Sequence, residues 1–146
     1  MFTRTTLLFA TACVASAVLA FASPRDDDEK EGPLHENMEK IEHGLKKLRR
    51  DLKDATKNVD SLKIVNEMQT ATQACKLETP PRSAKVPEAD RAKFMNDYKK
   101  TLIAVQKDML DLEIALIDGD NAKAQELFKK VHDAEDPGHE KFAQDG

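Results

Sequence analysis

Hydrophobic positions recur at helical spacing in four separate stretches of this chain. In the first, Leu34, Met38, Ile41, Leu45, Leu48 and Leu52 advance by alternating steps of four and three, which keeps all six on one face of a helix. Pro33 stands where a first helical position tolerates a missing N–H, and the pattern fades near 55–58. The second stretch, 59–77, aligns Leu62, Val65, Met68, Thr72 and Cys75; Thr79-Pro80-Pro81-Arg82 ends it, because neither proline continues a helix. The third starts at or just after Pro87 and reaches about Asp118. There Phe94, Tyr98, Leu102, Val105, Met109, Leu112 and Leu116 fall within about 80° of one another at roughly 100° per residue. Asp118-Gly119-Asp120 reads as a turn, with Gly119 accepting positive φ and Asp120 or Asn121 capping the next helix. In the fourth stretch Ala124, Phe128, Val131, Glu135, His139 and Phe142 share a face if the helix runs unbroken, but Pro137-Gly138 stands directly before His139.

Four amphipathic helices with short connections predict an all-α fold, an up-down-up-down antiparallel four-helix bundle occupying residues 33–146. That topology brings the start of the first helix, the end of the second, the start of the third and the end of the fourth to one end. Met38, Phe94, Tyr98 and His139 are expected to converge there.

Composition narrows the alternatives. Aromatic residues make up 5%, there is no Trp, and Gly and Pro number five and six, which argues against a β-sandwich or barrel. The mean hydropathy of -0.61 is low. However, the 40% hydrophobic share lies in stripes and the formal net charge is only -4, so a packed core is attainable.

The N-terminus reads as a processing segment: Arg4, an uncharged apolar run from Leu7 to Leu19, then Ala20-Phe21-Ala22. This predicts a signal peptide over 1–22 cleaved after Ala22, followed by an acidic disordered linker over 23–32. The run is short for a membrane span, and the residues before Cys13 make a poor lipidation signal. The expected product is exported, periplasmic or secreted, monomeric and without stable membrane insertion. Loss of Arg4 leaves it more acidic still, and with no basic stripe a nucleic-acid partner is not expected. Only Cys75 remains outside the signal segment, so no internal disulfide is available.

A thioether and an imidazole beside two aromatic rings, at one end of a bundle, form a set of iron donors. Each alone is a weak signal: Met is commonly core filler, and a His near a helix C-terminus commonly faces solvent. No Cys-x-x-Cys-His occurs, so covalent haem attachment is excluded. No nucleophile elbow, phosphate loop or other catalytic constellation is present, and an enzyme is not expected.

From Leu34 to about Phe142 the chain resembles the cytochrome b562 family in the order and spacing of its motifs. Asn37-Met38-Glu39-Lys40-Ile41 through Leu45 is similar to that family's opening segment, and Thr79-Pro80-Pro81-Arg82 to the break after its second helix. Phe94 and Tyr98 stand where the family has two aromatics against the haem; Gly119, Ala124-Gln125 and His139-Glu140-Lys141-Phe142 follow its last helix. The resemblance implies a non-covalent haem b held by Met38 and His139 as axial ligands, with Ile41, Leu45, Phe94 and Tyr98 around it. It further implies electron transfer with a redox partner protein, which Lys46-Lys47, Arg49-Arg50 and the acidic run 26–31 would orient as solvated faces. The chain departs from the family at Glu135 and Ala143, one turn either side of His139, where the family commonly carries Arg near the haem propionates.

Other constellations are weaker. Glu39 and His43 with His35 form a conceivable surface metal site, and His132 is an alternative to His139, although two turns farther from the pocket end. Cys75 reads as a buried core thiol with no His placed to activate it. The alternative from another class is a haem-free helical bundle acting as a structural or metal-binding module.

Overall fold

A computed structural model describes residues 32–143. The signal peptide, its cleavage after Ala22 and nearly all of the acidic linker lie outside the described residues. Pro33 opens helix α1 (Pro33–Asp51), whose chain turns through a short 3₁₀ segment, Ala55–Lys57, into α2 (Asn58–Cys75). The Asp54 carboxylate accepts from the Thr56 N–H at 2.9 Å and caps that segment. The prolines end α2 as expected, and a second 3₁₀ segment, Pro81–Lys85, leads to α3 (Glu88–Ile117). Gly119 takes a φ of 72°, and the Asp120 side chain caps α4 (Asn121–Asp133) by accepting from Lys123 N–H at 2.9 Å.

The fourth stretch is not one helix. The chain turns at Ala134 and a separate α5 (Glu135–Phe142) follows. Pro137 is the cause in sequence, yet the break falls three residues before it. Proline at the third position of α5 lies in a first turn, where the missing N–H has no partner to lose.

All regular structure among the described residues is helical. Helix α1 lies against α2, α2 against α3, α3 against α4, and α4 returns to α1. Gln125 donates to the Leu52 carbonyl at 3.0 Å and Asn58 to the Asn121 side chain at 2.8 Å, which ties the start of α4 to the end of α1 and the start of α2. Between the four helices a cluster of buried side chains centres on Leu48, Leu52, Val65, Met68, Met109 and Leu112, none more than 2% exposed. Each large aliphatic side chain there contributes about 1.5–3 kcal/mol by leaving water.

The predicted stripes lie inward but are filled unevenly. Leu45 and Leu48 on α1 and Leu52 just past its end are buried, whereas Leu34, Met38 and Ile41 are only half-buried. Ile64 and Leu127, absent from the predicted stripes, are also core residues. Gly44 explains how α1 and α2 come so close: a Cβ there would overlap Met68 Cγ and Sδ.

Among the described residues no helix is long and apolar enough to cross a membrane.

Candidate functional site

The half-buried ends of the stripes face a cavity of about 570 Å³, within the range of roughly 300–1,000 Å³ typical of small-molecule sites. It is walled by the first half of α1, the end of α2 with Thr79-Pro80-Pro81, the first half of α3 and the turn into α5. Ile41, Leu45, Leu102, Val105 and Phe142 make its inner surface apolar.

Met38, Ile41, Leu45, Tyr98 and His139 all line this cavity. Met38 is half-buried on α1, one turn below Glu42; His139 is exposed on α5, at the cavity edge. Glu42 also lines the cavity. Its carboxyl is held below the ordinary carboxylate range first by the hydrogen bond and charge of Lys46, with smaller contributions from His43 and His139.

Phe94 is placed differently from expectation. It does not line the cavity; its ring meets the edge of Phe142 at 5.4 Å and 63°, and Phe142 occupies the wall instead. Phe142 also makes an edge-on contact with Tyr98 at 5.2 Å and 68°, so three rings fasten α5 to α3. Phe142 was legible only as a face-mate of His139, three residues away; its role as the wall depends on where the break at Ala134 sends α5. Further tethers are Arg82, which donates to the Glu140 carbonyl, and Lys141, whose Nζ stands 3.5 Å from Asp97 and 5.1 Å from the Phe142 ring centre.

Tyr98 is 1% exposed and donates its hydroxyl to the Cys75 carbonyl at 2.9 Å, joining α3 to the end of α2 beneath the cavity. Burial pushes the Tyr98 phenol up from its usual value. The same burial pushes the Cys75 thiol up to about 11, so this fully enclosed cysteine is an inert core group.

The weaker candidates disperse. His132 is not at the cavity: it accepts from Arg49 and leans on Phe128 with ring centres 6.0 Å apart. His35 Nε2 lies 3.7 Å from Glu39 Oε1 beside the cavity, whereas His43 borders the groove between α1 and α2 around Gly44. Among the described residues no group of three or more His, Cys, Asp or Glu is gathered as a metal cage.

The donor set and the lining fit a flat, apolar macrocycle carrying a metal that accepts sulfur and imidazole nitrogen. The rim fits its carboxylates less well. Glu39, Glu42, Glu78 and Glu135 line the cavity, and among the described residues no Lys or Arg does. The chain matches no protein-family model, no curated protein and no solved structure.

Proposed function

We propose that this protein is an exported electron carrier that holds a non-covalent haem b between α1 and α5, in an up-down-up-down antiparallel four-helix bundle of the cytochrome b562 type. The observation that carries the proposal is the lining of one apolar cavity by both Met38 and His139. When bound, the haem supplies one-electron redox chemistry at its iron. The chain's part is ligation, orientation and exclusion of water. The Met38 thioether and the His139 imidazole would hold the iron. Ile41, Leu45, Leu102 and Val105 would surround the group with hydrocarbon, and Phe142 holds the His139 segment against α3. His139 stands at the exposed edge, where a redox partner protein would exchange electrons.

A second reading draws on the rim. Four carboxylates with no lining Lys or Arg favour a cavity that does not take a dicarboxylate, in keeping with a haem-free bundle serving as a structural or metal-binding module.

The deciding experiment is a titration of the purified protein with ferric haem, followed by reduction. Saturable binding with sharp Soret and α bands is expected, and a Met38→Ala variant should lose sulfur-to-iron charge-transfer absorption and show a lower potential. A colourless protein after haem addition rejects the electron-carrier reading in favour of the second.

A further inference from the structure

Helix α3 carries a second line of apolar side chains on the side turned away from the core. Ile103, Leu110, Ile114 and Ile117 are 46, 45, 57 and 65% exposed. Steps of seven, four and three keep them within about 60° of one another, along roughly 21 Å of the helix. The opposite face of α3 is already used, with Tyr98, Leu102, Met109, Leu112 and Leu116 buried. Scattered apolar residues on a surface need no explanation, but a coiled-coil-like line of four does.

The charges beside the line say what covers it. Lys100, Lys107, Asp111 and Asp118 follow one border of the line at steps of seven, four and seven, all four exposed. The sign changes from positive to negative next to Leu110. In an isologous antiparallel pair of helices the same border of each copy meets the other. With the twofold axis near Leu110, Ile103 falls opposite Ile117 of the second copy, Lys107 opposite Asp111, and Lys100 opposite Asp118. A parallel pairing would bring this border against the opposite border of the second copy and would not join Lys107 to Asp111 or Lys100 to Asp118.

We propose that a second copy of this chain docks antiparallel along α3, making a reversible homodimer centred on Leu110. A monomer is the expectation from the sequence, where α3 carries one apolar stripe; in the structure it carries two. The surface is distinct from the cavity, so the proposal stands apart from the haem reading.

Sedimentation velocity and light scattering of the purified protein, from micromolar to millimolar concentration, test it. A monomer–dimer equilibrium is expected. Leu110→Glu, which sets two carboxylates face to face at the axis, should weaken the dimer at least tenfold without altering the helical circular dichroism. The pair Lys100→Asp and Lys107→Asp should abolish dimerisation, and adding Asp111→Lys with Asp118→Lys should restore it. A wild type that stays monomeric throughout overturns the proposal. So does a dimer indifferent to both Leu110→Glu and the charge reversals, or a monomer whose α3 line binds lipid vesicles instead.

Discussion

Replacing Gly44 by alanine sets two effects of known size against each other. In the interior of an exposed helix the substitution gains about 1 kcal/mol, because glycine loses more backbone entropy than alanine on folding. Gly44, however, is buried in the α1–α2 contact, and the new methyl group would overlap both Cγ and Sδ of Met68, whose side chain is itself only 1% exposed. Cγ is held close to the backbone of α2, so the clash is not relieved by swinging a free end aside. Overpacking of this sort costs about 1–3 kcal/mol. The net expectation is a loss of up to about 2 kcal/mol, or roughly 4 °C in melting temperature for each kcal/mol in a domain of this size. The sign should reverse when the obstacle is removed: in a Met68→Ala background, Gly44→Ala should stabilise by about 1 kcal/mol. Urea unfolding of the two single variants and the double variant, followed by circular dichroism, completes the cycle. If Gly44→Ala alone raises stability by the full helix-propensity gain, the close approach of α1 and α2 at this position is refuted.

Three further outcomes are expected. Pro137→Ala should change stability by less than about 1 kcal/mol, because the proline occupies the first turn of α5; a gain near 3 kcal/mol on thermal unfolding would place it in a helix interior instead. Glu135→Arg should tighten haem binding about fivefold in a spectral titration, since it replaces a lining carboxylate with a partner for a propionate; unchanged or weaker binding would show that the carboxylates lie elsewhere. Cys75 ionises near 9.0 when free and near 11 when folded, so the unfolded chain releases its proton first and stability falls as pH rises from about 9 to about 11; a Cys75→Ala variant should lose that alkaline component, seen as a flatter unfolding free energy across the window.

The elements that sequence reading located well are those governed by local chemistry. The alternating steps from Leu34 to Leu52, the double proline after Thr79 and the Gly119-Asp120 turn each act over a few residues, and each defines its helix or boundary in the structure. What escaped depends on partners distant in the chain. Nothing about Gly44 in isolation marks it as a contact point, because the obstruction is Met68 on another helix. Pro137 announced a break but not its position: proline is harmless in a first turn, so the chain could part at Ala134. That displacement then turns Phe142 into a cavity wall and leaves Phe94 behind it, an exchange no periodicity contains. The second line on α3 is masked for a simpler reason: a helix thirty residues long can carry two apolar faces, and the buried one dominates the periodicity.

Leu48, Val65, Met109 and Leu112 do not line the cavity, but the cluster they centre shares Leu45 and Val131 with its wall. Anything that fills the cavity would therefore also brace the core through those two side chains, and by mass action its concentration would set how far the melting temperature rises.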